Sequence, residues 1–249
     1  MKVANGVEML VLPANLANGP TIIHPTIIWG EDNMILVDAG LPGQLTQIRD
    51  SFQSAGLTFE KLNKIIITHS DMDHIGGLST ILNELDERIE VLAHNDEKPY
   101  IECELQPIRL TQIGAQLKFL KGEQHLQMKI LYENLKANYN KFRVNVDRTV
   151  TDGEELPFCG GIKILFTPGH TPGHICLYLE ESKTLVAGDL LNVDDERLVP
   201  SPDFTIVDKS SAMQSLQKLT QYDIQAVICY HGGLYTGDVN HRILELVNK

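Results

Sequence analysis

An α/β fold is what this sequence predicts, and three observations predict it. Short apolar runs rich in β-branched residues recur along the chain, each of the length of a buried strand. Stretches with helical spacing of apolar residues fall between several of them. The side chains capable of metal or acid–base chemistry gather where those runs end, the edge at which α/β sheets form their ligand sites.

The candidate strands, in order, are TIIHPTIIW (21–29), MILVDAG (34–40), KIIITHS (64–70) and IEVLAH (89–94). They continue with IKILFTPGH (162–170), ICLYLE (175–180), TLVAGDL (184–190) and AVICYHGG (226–233). Between the second and third, GQLTQIRDSFQSAG carries Leu45, Ile48 and Phe52 at helical spacing and meets a stop signal at Gly56. GLSTILNELD follows the third run, and SSAMQSLQKLTQY carries Met213, Leu216 and Leu219. Segment 97–145 is polar, with one long helix expected around 111–137. At roughly 50 residues it is too thin to bury a core of its own, so it is expected to sit as an insertion over one edge of a single domain spanning 1–249.

Composition narrows the function classes. With 43% hydrophobic and 22% charged residues, the chain belongs with ordinary globular proteins. A formal charge of −12 without a lysine or arginine block argues against nucleic acid and against an anionic membrane surface. No apolar run reaches the roughly 18 residues a membrane span needs. Glu8, Pro13 and Asn15 interrupt the N-terminal stretch, which therefore lacks the apolar centre of a signal peptide. A cytoplasmic protein is expected, with Cys103, Cys159, Cys176 and Cys229 as reduced thiols and the last two as small apolar fillers of strands.

THSDMDHIGG (68–77) is the densest chemical signal: two histidines and two aspartates within six residues, directly after an apolar run. A core would not accept these groups unpaired, and a metal ion would. His69, Asp71 and Asp73 alternate, so an extended chain would turn all three to one side, with His74 following at the entry to a helix. Gly76 and Gly77 suit a tight approach of that helix start. Other strand ends add His170, Asp189 and His231. Of His170 and His174 in PGHTPGH, the former follows the strand and is taken as the ligand, the latter as an interior partner. Asp38, after ILV, is a turn residue or an acceptor that orients a ligand loop. His94, His125 and His241 are expected to be ordinary hydrogen-bonded histidines.

Taken together, ILVDAG, THSDMDHIGG, TPGHTPGH, VAGD and CYHGG resemble the metallo-β-lactamase fold superfamily over most of the chain, 35–233. The resemblance implies an αββα sandwich of two mixed sheets flanked by helices, with a dinuclear site at the sheet edge. Transferred by position, one divalent ion would take His69, Asp71 and His170, the other Asp73, His74 and His231, with Asp189 bridging as in the glyoxalase II and lactonase-like branches. One position departs: the family's second motif histidine is Asp71 here. It is taken as a true carboxylate ligand; the other readings are a side chain too short to reach, or a single-metal site. Three carboxylates, neutral histidines, two divalent ions and one hydroxide sum to zero charge, which lowers Lewis acidity and favours harder ions. Zinc is the first expectation, manganese or iron the alternatives.

The implied activity is hydrolysis of a small-molecule ester, lactone or thioester by a metal-bridging hydroxide, with Asp73 orienting the nucleophile and handling its proton. EKPYIECE (97–104) and the following helix would wall the pocket, with Tyr100 as a substrate contact; that helix would otherwise be a homodimer surface. Two rivals are an iron-dependent redox enzyme of the persulfide dioxygenase or flavodiiron kind, and a non-catalytic metal-binding protein.

Overall fold

The computed structural model describes residues 1–16, 19–85 and 89–248. In the first half of the chain the strands are β1 (Lys2–Ala4), β2 (Val7–Met9), β3 (Leu12–Leu16), β4 (Gly19–Ile23) and β5 (Thr26–Trp29). They continue as β6 (Met34–Val37), β7 (Lys64–Ile67), β8 (Glu90–His94) and β9 (Arg148–Val150). The second half adds β10 (Glu155–Leu156), β11 (Ile162–Phe166), β12 (Ile175–Leu179) and β13 (Thr184–Val186). β14 (Leu191–Asp194), β15 (Arg197–Pro200), β16 (Ala226–Cys229) and β17 (Gly233–Tyr235) complete the set. The helices are α1 (Leu45–Ser54), α2 (Met72–Ile75), α3 (Leu78–Glu84), α4 (Lys98–Ile101), α5 (Ile108–Gln116), α6 (Gly122–Asn138), α7 (Lys209–Leu219) and α8 (Val239–Val247).

Each half of the chain builds one mixed sheet. The first runs β1-β2-β5-β6-β7-β8-β9, parallel from β6 to β9; the second runs β10-β11-β12-β13-β16-β17, parallel only between β13 and β16. Val37, Ile66 and Leu92 of the first sheet pack against Ile164, Leu177 and Ile228 of the second. Ile48 and Phe52 of α1 and Ile81 of α3 cover the outer face of the first sheet through Leu36, Ile65 and Ile67. Leu216 and Leu219 of α7 and Ile243 of α8 cover the second through Leu165, Leu185 and Val227. The result is the expected αββα sandwich. The central strands are buried on both faces, which is why MILV and III carry no alternation. Each such Ile or Leu contributes about 1.5–3 kcal/mol of burial. α1 stops where Gly56 signals a stop: Leu57 N donates to Phe52 O and Gly56 N to Gln53 O, closing the helix end.

Two expected elements are divided. TIIHPTIIW is two strands, β4 and β5, because Pro25 has no N–H for a ladder and His24 N donates instead to Tyr230 O, just past β16. The helix expected around 111–137 is the pair α5 and α6; Lys121 is extended and Gly122 left-handed (φ +59°), which reverses the chain so that α6 packs back on α5. The insertion itself lies between β8 and β9, next to the strand end that carries THSDMDHIGG. Among the described residues no helix is long and apolar enough to cross a membrane.

Candidate metal centre

Four strand ends build the site. His69 lies two residues past β7, His170 follows β11, Asp189 follows β13 and His231 follows β16. The extended alternation expected in the motif ends at Asp71 (φ −67°, ψ 148°); Met72–Ile75 is already the helical turn α2, and Asp73 reaches the site from that turn. The glycines after it are required by contact: a Cβ on Gly76 would lie 2.3 Å from Pro42 Cδ, and one on Gly77 2.2 Å from Ala39 O.

Asp38 fixes the orientation of the motif. Its carboxylate accepts from Thr68 N and Thr68 Oγ1, both at 2.8 Å, and from His74 Nδ1 at 2.8 Å. Because Nδ1 donates, His74 turns Nε2 toward the cluster. The Thr68 hydroxyl hydrogen is committed to Asp38, so His69 Nδ1 donates to Thr68 Oγ1 at 3.1 Å and His69 Nε2 likewise faces inward. Tyr230 stacks on His74 with ring centroids 3.7 Å apart and donates its hydroxyl to Asp73 O.

Across the cleft, His174 is consumed structurally. Its Nε2 accepts from Asp189 N at 3.0 Å and its Nδ1 donates to Thr167 Oγ1 at 2.9 Å. Burial and the neighbouring histidines push its pKa well below the usual value, so it is neutral. Glu97, fully buried, ties the two loops together: it accepts from Ser70 N at 2.9 Å, from Gly173 N at 2.9 Å and from the Thr171 hydroxyl.

Two groups result, His69/His170/Asp189 and Asp73/His74/His231, with ligand atoms inside each group within 4.8 Å of one another. Asp189 serves both. Its Oδ2 lies 3.3 Å from His170 Nε2 and 3.3 Å from His231 Nε2, and its Oδ1 3.3 Å from His74 Nε2. His69 Nε2, His74 Nε2 and Asp189 Oδ1 are buried without a hydrogen-bond partner among the described residues. Buried polar atoms in that state are costly, and these converge on shared space, which is what a divalent cation satisfies once His74 gives up its Nε2 proton. The donor set therefore fits metal. Burial pushes His231 down, but the Asp189 and Asp73 carboxylates outweigh it and raise its pKa to about 10. Burial likewise opposes ionisation of Asp189, yet His231 and His74 hold it well below the carboxylate range.

Asp71 is also brought here, its Oδ2 3.4 Å from His69 Nε2 and 3.1 Å from His170 Nε2. The same oxygen is held by Arg109 of α5, through Nε at 2.8 Å and Nη2 at 2.6 Å. Burial raises the Asp71 carboxyl, but its contacts with His170 and His69 and the nearby Arg109 hold it well below its usual value. Neither Arg109 nor Glu97 was found from sequence, where each is one charged residue in a polar segment with no spacing signal. His94 stacks on Phe166, His125 bonds Leu117 O, and His241 pairs with Glu245 at the surface, all outside the two groups.

Two cavities adjoin the centre. One of about 300 Å³ is lined by Asp189, His231, Ser201, Thr21, Pro202 and Phe204, among others. A smaller apolar one of about 110 Å³ lies behind Asp71 and Arg109, walled by Tyr100, Leu110, Leu135 and Phe142. Tyr100 lines this smaller cavity and not the one of about 300 Å³.

The family model of the metallo-beta-lactamase superfamily matches residues 18–231. A probable metallo-hydrolase of Bacillus subtilis, YflN, is 28% identical over 235 residues, 87% of this chain and 82% of its own length. A hydroxyacylglutathione hydrolase of Rhizobium meliloti is 47% identical over only 47 residues, 18% of each chain. The crystal structure of a metallo-beta-lactamase family protein from Thermus thermophilus superposes with a TM-score of 0.72 at 23% identity, covering 98% of this chain and 79% of that one. With sandwich, strand-end histidines and carboxylates and family match in agreement, the chain belongs to the metallo-beta-lactamase superfamily.

Proposed function

We propose that the protein is a metal-dependent hydrolase of a small-molecule ester, lactone or thioester. The observation that carries this reading is the pair of candidate ligand groups that meet at Asp189, which with His231 lines the 300 Å³ cavity. His69, His170 and Asp189 would hold one divalent ion and Asp73, His74 and His231 another, and such ions would supply Lewis acidity and bring the pKa of water to about 7. Asp71 is the further carboxylate available to the first group.

The chain's own residues supply the rest. Asp73 is positioned to accept a proton at Oδ2, 3.3 Å from His231 Nε2, and Tyr230 fixes its backbone from behind. Leu16, Pro20, Pro202 and Phe204 give the cavity apolar walls that exclude water from a bound acyl or lactone group, while Thr21 and Asn192 offer polar contacts. A net charge of −12 disfavours polyanionic substrates. The short match to hydroxyacylglutathione hydrolases keeps thioesters in the substrate class.

The test is a panel of lactones, aryl esters and thioesters assayed on protein purified without added metal, before and after chelation, with metal identity read by mass spectrometry. Turnover that is lost on chelation and restored by zinc or manganese supports the reading. No turnover on any panel member with metal fully bound refutes it, and iron as the resident ion would favour redox chemistry instead.

A further inference from the structure

Arg109 is the feature of the centre that the proposed hydrolysis does not use. It comes from α5 in the insertion, and all five of its N–H donors are engaged. Nε and Nη2 donate to Asp71 Oδ2 at 2.8 and 2.6 Å, Nη1 donates to Gln112 Oε1 at 2.9 Å and Thr205 O at 2.6 Å, and Nη2 also meets His170 Nε2 at 2.7 Å. A guanidinium has only hydrogens to offer and stays charged, so His170 Nε2 is the acceptor in that contact. An imidazole nitrogen has one lone pair in the ring plane. A bond from His170 Nε2 to a metal and the hydrogen bond from Arg109 are therefore mutually exclusive.

The other group is unlike this one. Among the described residues, no hydrogen bond or ion pair from a lysine or arginine reaches Asp73, His74 or His231, whose side chains meet one another, Asp189, Asp38, Thr68, Tyr230 and the His69 ring. Asp71 and Arg109 also form a neutral pair at the place where the family motif has a neutral histidine.

We propose that Arg109 sets the order in which the two positions take metal: the Asp73/His74/His231 position fills first and tightly, and the His69/His170 position fills only as Arg109 gives up His170. This rests on the metal-dependent reading above. Arg109 is a positioning residue, not a catalytic one. It links metal occupancy to α5 and, through Thr205 O, to the wall of the 300 Å³ cavity. Filling the second position then changes what holds the insertion against the site.

The experiment titrates the full, chelator-stripped chain with Zn²⁺ or Mn²⁺ by calorimetry, with bound metal counted by mass spectrometry. The wild type is expected to show two steps separated by about 10–100-fold in affinity, the range a single supporting residue commands at a metal site. Arg109→Met is expected to tighten the second step toward the first and leave the first in place. Two ions entering the wild type in one indistinguishable step would overturn the proposal, as would a second step that Arg109→Met does not move. If Arg109→Met does not fold with Asp71 unpaired, Arg109→Met/Asp71→Asn is compared with Asp71→Asn alone, and the second step must still tighten. Folded wild type that binds no ion would end the metal-dependent reading itself, and the proposal with it; that outcome is distinct from two equal ions.

Discussion

Replacing Glu97 by Gln tests how far the metal centre depends on a residue that would touch no metal. Glu97 sits between Ser70, next to His69 and Asp71, and Thr171, next to His170, and it holds both loops through backbone and hydroxyl donors. The amide is isosteric but can present an oxygen to one side only. If that oxygen keeps Gly173 N and the Thr171 hydroxyl, the NH₂ faces Ser70 N and a buried donor loses its partner, at about 1–3 kcal/mol. The two remaining bonds lose their charge assistance, about 0.5–1 kcal/mol each. The total is about 2–5 kcal/mol, and the flipped amide does worse. For a chain of this size that lowers Tm by roughly 4–20 °C. Metal affinity is expected to fall about 10–100-fold, because the loops carrying His69 and His170 lose their common anchor. Thermal unfolding of the metal-free protein and calorimetric metal titration measure the two effects. A melting temperature within about 1 °C of wild type with unchanged metal affinity would refute the anchoring role.

Three further outcomes follow from the same geometry. Metal uptake near pH 7 is expected to release protons, since His231 (raised to about 10) and His74 (raised well above its usual value by Asp38, Asp189 and Asp73 despite burial) are protonated in the metal-free protein. Release should fade as pH approaches 10, and calorimetry in buffers of different ionisation enthalpy reads it; no buffer dependence near pH 7 would contradict it. By the same shift, His231 stabilises the metal-free fold fully below its unfolded value near 6.5 and loses that contribution as pH rises through about 10. His69→Ala and Asp189→Ala are each expected to abolish turnover with the circular dichroism spectrum unchanged, and wild-type kinetics at full metal occupancy in either would remove that residue from the ligand set. Gly77→Ala places a Cβ 2.2 Å from Ala39 O, beside Asp38, and should cost about 1–3 kcal/mol, seen as a Tm lower by roughly 2–12 °C.

What the sequence made legible is what local pattern encodes. Runs such as III before His69 and VIC before His231 announce buried strands, and the polar residues that end them announce the site, because an apolar strand and an abrupt chemical change both lie within a few consecutive residues. Family resemblance supplied the sandwich, which periodicity alone would not. Illegible were the contacts made across chain distance. Arg109 is far from Asp71 in sequence, Glu97 is three residues from an ordinary histidine, and nothing local marks either one as inward-facing. The break at Lys121–Gly122 was missed for a different reason: apolar residues continue at helical spacing on both sides, and only the backbone of Gly122 turns the chain. Asp73 reaches the cluster from a one-turn helix after Asp71 rather than from an extended alternation, and one turn leaves no periodic trace in the sequence.

The division of the sandwich into an N-terminal and a C-terminal sheet has a consequence for biogenesis. His69, Asp71, Asp73 and His74 leave the ribosome with the first sheet, whereas His170, Asp189 and His231 arrive with the second, His231 only after β16. Neither group of ligand atoms is whole until the second sheet has been made and laid on the first. A growing chain therefore cannot capture an ion by the first half alone with the coordination of the finished site. Once seated, an ion would join strand ends of opposite sheets as a removable cross-link. Chelation should then be felt as loss of mechanical coupling between the halves, most strongly in hydrogen exchange at the ends of β7 and β16.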